Sequence, residues 1–218
     1  MDLVKFWTVC SSNSIILENN QIQQFERFEN ELRYWNEKVN LISRKDEENI
    51  FERHILHSLA ILKYIDLKPK AKCLDFGTGG GFPGIPLKIA RPDLSMLLVD
   101  SIKKKGKITE MFAKHTGLKE INFKIARVEE LQEEFDKRIE FDYIFARAVG
   151  RLEVLVDLSH YLLKKGGKMI FLKGGNLEDE FKKTKERFQY VKIDEINIKL
   201  IGADWFEKEE KKIITVSF

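Results

Sequence analysis

A glycine-rich turn directly after a short apolar stretch constrains this chain most. Residues 72–76 are predicted to form a buried strand, and four of the five residues at positions 77–81 are glycine. Glycine adopts positive φ values that residues with a Cβ reach only at a cost in energy. Pro83 lacks an amide donor, which the first turn of a helix can spare. The sequence therefore predicts a strand, a tight turn and a helix start, with free backbone N–H groups facing a ligand.

A second predicted strand, residues 94–99, ends in Asp100. Asp100 follows the glycines by about twenty residues, the distance at which nucleotide-binding βαβ units place an acid on ribose hydroxyls. A dinucleotide fingerprint counted from the end of the first strand would require glycine at position 82, where the chain has Phe82. A shifted match, Gly79-x-Gly81-x-x-Gly84, starts two residues after that strand and runs through Pro83. We discount it.

The glycine pattern that remains is Asp75-x-Gly77-x-Gly79-x-Gly81. It is similar to motif I of the class I methyltransferases that use S-adenosylmethionine. This similarity implies that Asp75, Gly77 and Gly79 contact the methyl donor. Asp75 could instead cap the following helix or brace the turn.

Composition sets broad limits on the protein. With 218 residues, 43% of them hydrophobic, the chain can bury one large core. The 38 basic and 35 acidic side chains give a net charge of +3, which permits a nucleic-acid partner without implying one. Cys10 and Cys73 lack metal-ligand spacing and are interpreted as reduced packing residues. Without a signal peptide or an apolar run of about twenty residues, the chain is predicted to be cytoplasmic, with no membrane span and no metal.

Hydrophobic periodicity divides the chain at about residue 66. Residues 1–66 are predicted to be a helical extension, and residues 67–218 a Rossmann-like core on which it packs, so that the whole forms one compact domain. In the core, predicted strands alternate with helices, which indicates an α/β fold with a mostly parallel sheet. Residues 191–198 and 211–217 are predicted to pair as an antiparallel edge, with no obvious helix between them.

Several further segments occur in an order typical of one family. They are Asn40 to Ser43, Arg53 to Leu59, Pro83 to Leu87, Asp100 to Lys105, Arg127 to Glu130, Phe141 to Ala148 and Leu172 to Gly174. Together they resemble the bacterial small-subunit ribosomal RNA methyltransferase G family, also called RsmG or GidB, over about residues 25–180. The resemblance implies a class I, Rossmann-like methyltransferase that transfers a methyl group from S-adenosylmethionine to N7 of a guanine in 16S ribosomal RNA. The expected partner is this RNA or the small ribosomal subunit, and the expected state is a monomer.

The resemblance also implies roles for individual residues. The methyl donor would be bound by Gly77, Phe82, Asp100, Val128, Glu129 and Arg147, in addition to Asp75 and Gly79. Arg147, Arg127 and Lys173 are the predicted catalytic residues, and Lys104 and Lys105 are predicted to bind RNA. The chain departs from the family at two positions: His57 replaces a usual acid, and Ala146 replaces a usual serine.

Each basic residue has a simpler interpretation. Arg147 could form a structural ion pair with Asp75 or Asp142, and Arg127 could brace a loop. Lys104 and Lys105 could be an exposed helix turn. His54 lies on a mixed apolar face and is interpreted as a packing histidine rather than a catalytic group. No second histidine or cysteine has metal-ligand spacing with it, so no metal site is predicted.

The chemistry of N7 fits a site without a general base. The N7 lone pair of neutral guanine is free, so catalysis can depend on holding the two reactants in line. Methylation of an exocyclic amine would usually bring an Asn/Asp-Pro-Pro-aromatic segment after the fourth strand, where this chain has Ala146-Arg147-Ala148. Methylation of pyrimidine C5 would require a nucleophilic cysteine near the site, whereas Cys73 lies inside the first predicted strand. A methyltransferase acting on a small molecule or protein side chain, and a non-catalytic nucleotide-binding protein, are the alternatives.

Overall fold

The computed structural model describes residues 1–131 and 140–218. In this part of the chain seven strands form one mixed sheet, in the order β3-β2-β1-β4-β5-β7-β6. The strands are β1 (Lys72–Phe76), β2 (Ser95–Asp100), β3 (Ile121–Ile125), β4 (Phe141–Arg147), β5 (Leu163–Gly174), β6 (Lys192–Asn197) and β7 (Lys211–Ser217).

Helices precede the sheet and cover it. They are α1 (Leu3–Ser12), α2 (Asn19–Asn36), α3 (His57–Tyr64), α4 (Gly84–Ala90), α5 (Lys103–His115), α6 (Leu152–Ser159), α7 (Glu178–Arg187) and α8 (Trp205–Lys208). A 3₁₀ helix (Arg44–Asn49) and one π-helical turn (Phe51–Leu56) lead into α3, and shorter 3₁₀ turns lie at Val128–Glu130 and His160–Leu162. Within the described ranges, no helix has both the length and the apolar character needed to cross a membrane.

The order of the strands locates the site. β1 pairs in parallel with β2 on one side and with β4 on the other. The chain thus runs outward from β1 in one direction and returns to build the other half of the sheet from β4. In such sheets ligands bind beyond the carboxyl ends of the strands, at this change of direction.

The sheet confirms the predicted mostly parallel architecture with an antiparallel edge. β7 lies between β5 and β6 and is antiparallel to both. Two details differ from the sequence prediction. The hydrophobic pattern predicts the fifth strand near residues 168–173, whereas β5 begins at Leu163, before two consecutive glycines that interrupt the pattern. The four-residue helix α8 lies between β6 and β7. A helix this short has too few residues to show a periodicity.

The N-terminal extension shares its hydrophobic core with the sheet. Phe28 of α2 packs against Phe82 and Phe112, with ring centroids 5.4 and 5.6 Å away. Its side chain is fully buried in a cluster that contains residues from both segments. Gln21 adds polar contacts, because its Nε2 donates to the carbonyls of Ile89 and Ala90 at 2.8 and 3.1 Å. The boundary at residue 66 remains a prediction about the sequence, but the two sides pack as one body.

We expect Phe28→Ala to lower the free energy of unfolding by about 3–5 kcal/mol, the usual cost of deleting a buried aromatic ring. Urea denaturation should still show one transition, because the extension and the sheet share this cluster. Tyr34→Ala is the matched control, since Tyr34 lies on the same helix and is 54% exposed. Two separate transitions, or equal losses in the two variants, would contradict a shared core.

Candidate active site

The glycine turn is held against the end of β2 by backbone hydrogen bonds. The amides of Gly77 and Thr78 both donate to the carbonyl of Val99, at 2.8 and 3.1 Å. Gly77, Gly79 and Gly81 have φ values of 66°, 57° and 94°. These positive values explain why the turn requires glycine at these three positions.

Asp75 braces the turn from inside the core. Its carboxylate is fully buried, and Oδ2 accepts hydrogen bonds from the Thr78 hydroxyl at 2.7 Å and the Gly84 amide at 2.8 Å. Oδ1 is also buried and has no partner among the described residues. Burial raises the pKa of Asp75 to about 7, although these hydrogen bonds and the charge of Arg147 act in the opposite direction. The bracing role is therefore present, while contact with the methyl donor remains a prediction.

Asp100 fixes the turn from the other side. Its Oδ2 accepts from the Gly79 amide and its Oδ1 from the Ile102 amide, both at 2.8 Å. The Thr109 hydroxyl donates to the carbonyl of Gly79 at 2.8 Å. Gly79 is thus tied through both of its backbone polar groups, and the carboxylate of Asp100 lies at the carboxyl end of β2.

A cavity of about 360 Å³ lies beside this turn. Among its lining residues are five of those predicted from the sequence: Gly77, Asp100, Arg127, Val128 and Glu129. Val128 is buried and its carbonyl accepts from the Tyr161 hydroxyl at 2.9 Å, which fixes the 3₁₀ turn after β3. Asp75, Gly79 and Phe82 do not line this cavity.

A second cavity, of about 560 Å³, also has Ala148 in its lining. Ala148 is the residue that the two linings share, so the two cavities meet at this position. Arg147 and Lys173 line the second cavity, whereas Arg127 does not. Arg127 follows β3, three strand spacings or about 14 Å from β4, so the structure does not bring the three predicted catalytic residues together.

Arg147 is half-buried and makes no ion pair with Asp75 or Asp142. Its Nη2 lies 2.8 Å from His54 Nδ1, and its Nη1 donates to the Arg53 carbonyl at 3.3 Å. The guanidinium lies 4.5 Å from the centre of the Phe82 ring. Burial lowers the pKa of Arg147 to about 10, so the group remains a cation at neutral pH.

The ammonium group of Lys173 is held by an ion pair and a hydrogen bond with other residues of the protein. Its Nζ lies 2.7 Å from Glu180 Oε2 and donates to the Gly150 carbonyl at 2.7 Å. The same carboxylate oxygen accepts from the Leu152 amide at 2.6 Å. Lys173 thereby braces the loop between the two cavities, and its predicted catalytic role is untested.

The predicted RNA-binding residues lie in the first turn of α5. Lys104 is exposed and Lys105 is half-buried, and neither lines a cavity with the site residues. The positions of the two lysines are therefore compatible with the predicted binding of RNA, which the structure does not test.

Comparisons with known proteins agree with this geometry. The family model for rRNA small subunit methyltransferase G matches residues 21–211. A relative from Phocaeicola vulgatus, named ribosomal RNA small subunit methyltransferase G, is 42% identical over 209 residues, which cover 92% of this chain and 94% of the relative. A relative of the same name from Chlorobium phaeobacteroides is 42% identical over 177 residues, covering 81% and 78%.

The chain belongs to the rRNA small subunit methyltransferase G family. This membership confirms the predicted family, the enzyme class and S-adenosylmethionine as the methyl donor. It also confirms, at the level of the family, the predicted methylation of guanine N7 in 16S ribosomal RNA.

Solved structures support the fold. Fibrillarin from Aeropyrum pernix, in complex with natively bound S-adenosyl-L-methionine, is similar with a TM-score of 0.57 and 14% identity, over 76% of this chain and 75% of that chain. Ribosomal protein L11 methylase from Lactobacillus delbrueckii gives a TM-score of 0.54 at 20% identity, over 78% of each chain. At these identities the likeness shows a class I methyltransferase fold and no more.

Several lining residues of the second cavity were missed as site residues by the sequence analysis. Leu41 and Ile42 form part of its wall, and both of their amides donate to Asn36 Oδ1, at 2.8 and 2.9 Å. In the sequence, the segment Asn40 to Ser43 contributes to the family resemblance but does not indicate a place in the site. Trp205 and Lys211 enter from the far end of the chain, and no sequence pattern links them to this site.

The residues of the first cavity fit the methyl donor. A Cβ added at Gly77 would lie 2.6 Å from Val149 Cγ2, so glycine keeps this narrow part of the cavity open. Asp100 supplies carboxylate oxygens to the lining of the same cavity. For metals, no group of three or more His, Cys, Asp or Glu side chains in residues 1–131 and 140–218 could hold an ion.

Gly77→Ala should weaken binding of S-adenosylmethionine by about tenfold or more, because the added methyl group would collide with Val149 in the cavity wall and displace it. Calorimetry would measure the affinity. Gly117→Ala is the matched control: Gly117 has φ +72°, and an added Cβ there meets nothing within 4 Å. Equal affinities in the two variants would contradict the placement of Gly77.

Asp75→Asn should change how stability depends on pH. The pKa of Asp75 rises from 3.8 to about 7 on folding, so the folded state keeps a proton that the unfolded state loses between these values. The stability contributed by this proton is full below about pH 4 and is lost as the pH rises to about 7. Denaturation at a series of pH values should therefore show the variant gaining stability relative to wild type across this range. Parallel curves would contradict the raised pKa.

Proposed function

We propose that the two cavities hold the two reactants, with S-adenosylmethionine beside Gly77 and the target guanine beside Arg147. The observation that supports this arrangement is that Ala148 lines both cavities. A methyl group can pass between reactants only if they lie side by side with aligned reacting atoms. The two reactants would lie side by side at Ala148, where the two cavities meet.

The first cavity would bind the donor through complementary polar and apolar walls. When bound, S-adenosylmethionine supplies a methyl group attached to a positively charged sulfur. Asp100 would accept hydrogen bonds from ribose hydroxyls, since carboxylate oxygens have lone pairs beyond those that its two amide partners use. Val128 would offer an apolar surface to the adenine, and Glu129 would lie at its edge.

The second cavity would receive the base of the RNA. Its volume of about 560 Å³ lies in the range of small-molecule sites. The major-groove edge of guanine presents N7 and O6 as acceptors. Because N7 must face the methyl group, O6 is the acceptor that Arg147 would bind.

No general base is needed in this arrangement, because the N7 lone pair is already free. His54 and His57 are both buried at the cavity, and burial together with the charge of Arg147 lowers the pKa of each imidazole, that of His54 to about 2. Both are therefore uncharged at neutral pH. Catalysis would rest on positioning, for which intramolecular reactions indicate about 7–11 kcal/mol. A monomeric state of the protein is also part of this proposal.

The test is to map methylation of small-subunit ribosomal RNA by mass spectrometry in a strain lacking the gene. We expect one N7-methylguanosine to be missing and to return when purified protein and labelled methyl donor are added. Arg147→Ala should fold and bind the donor but lose about 10²-fold in turnover, the scale of losses caused by misplaced reactants. Arg187→Ala, at a surface ion pair with Asp157, is the control.

Two outcomes would contradict the proposal. An unchanged methylation map would show that this RNA is not the substrate. Turnover at the wild-type rate in Arg147→Ala would assign the side chain to structure alone.

A further inference from the structure

His54 lies where the N-terminal extension meets the sheet. It belongs to the π-helical turn Phe51–Leu56, and its side chain is buried. The imidazole packs against Phe82, with ring centroids 5.2 Å apart, and its Nδ1 lies 2.8 Å from Arg147 Nη2. A packing role accounts for the contact with Phe82 but not for the contact with Arg147.

The contact with Arg147 fixes the protonation of the ring. A guanidinium has only donors, so Nδ1 must be the acceptor and the ring proton must be on Nε2. Nε2 lies 3.6 Å from Asp46 Oδ2, a carboxylate that favours a proton on the nitrogen facing it. Burial and the positive charge of Arg147 oppose a second proton on the ring. His54 is therefore a neutral hydrogen-bond acceptor.

The same segment holds the second nitrogen of Arg147. The Arg53 carbonyl accepts from Nη1 at 3.3 Å, and Asp46 Oδ1 lies 2.5 Å from Arg53 Nη1. Two consecutive residues of one helical turn thus provide both hydrogen-bond acceptors for the guanidinium. Phe82, 4.5 Å from it, supports its face.

We propose that His54 is a positioning residue for methyl transfer, and that it acts by holding the guanidinium of Arg147 beside the boundary between the two cavities. This inference rests on the proposed function, because that function gives Arg147 its contact with the base. Arg147 has three rotatable bonds beyond Cβ, so without its acceptors it would sample several directions. The contact with His54 restricts the guanidinium to one of these directions.

Two substitutions separate this role from packing. His54→Asn places an amide oxygen near the position of Nδ1 and keeps an acceptor, whereas His54→Leu fills the space against Phe82 and removes the acceptor. We expect His54→Asn to stay within a few-fold of the wild-type kcat and His54→Leu to lose about 10²-fold, with the affinity for S-adenosylmethionine unchanged in both. If packing is the whole role, the order reverses, because leucine is the better apolar replacement. His115→Asn, at an exposed histidine of α5, is the control.

A double-mutant cycle tests whether His54 acts through Arg147. Assays on small subunits from the deletion strain would compare His54→Leu in the wild-type and Arg147→Ala backgrounds. We expect the loss in kcat caused by His54→Leu to disappear when Arg147 is already alanine, because residues in one hydrogen-bond network are not additive. Equal losses in the two backgrounds would overturn the proposal.

A spectroscopic measurement does not depend on turnover. In ¹⁵N-histidine NMR of the wild-type protein, His54 should show a protonated Nε2 and an unprotonated, hydrogen-bonded Nδ1, and the Nδ1 signal should shift in Arg147→Ala. A proton on Nδ1, or no shift in that variant, would overturn the inference even if RNA methylation is confirmed. The expected spectra together with an unchanged methylation map would locate the failure in the proposed function instead.

Discussion

One buried carboxylate oxygen determines the shape of the site. Oδ2 of Asp75 receives the Thr78 hydroxyl and the Gly84 amide, and so connects the end of β1, the middle of the turn and the first residue of α4. The path of the chain from β1 to α4 is fixed by these two hydrogen bonds. Gly77 beside one cavity and Phe82 under Arg147 both take their positions from that path. The raised pKa of Asp75 reflects the cost of burying this group.

The two cavities differ in how they are built. The first is formed by the segments that follow β1, β2, β3 and β4, so its walls come from the repeating βα units of the sheet. The second also uses the segment after α2, the π-helical turn and the helix before β7. The extension therefore contributes part of the site as well as part of the core. Asn36 illustrates this, because it ends α2 and also holds the amides of Leu41 and Ile42 in the cavity wall.

The first half of this architecture could be predicted from the sequence, because its signals are local. A short apolar strand, positive-φ glycines and an acid at the end of the next strand lie within about thirty residues, a span typical of one βαβ unit. The contact between His54 and Arg147 joins positions 93 residues apart, and neither neighbourhood indicates the other. The ion pair of Lys173 with Glu180 joins nearby positions, but a run of charged residues indicates a solvated helix face and does not show which of its acids turns inward.

The wall at Ala148 has a consequence for inhibitor selectivity. A molecule that fills only the cavity beside Gly77 would meet the turns that follow the strands of the βα repeat. A molecule that extends past Ala148 would meet Arg53, His54 and Trp205, which come from segments outside the βα repeat. Discrimination between enzymes depends on such differing contacts. A compound that spans both cavities therefore has more contacts by which to select this enzyme than a compound that fills the cavity beside Gly77 alone.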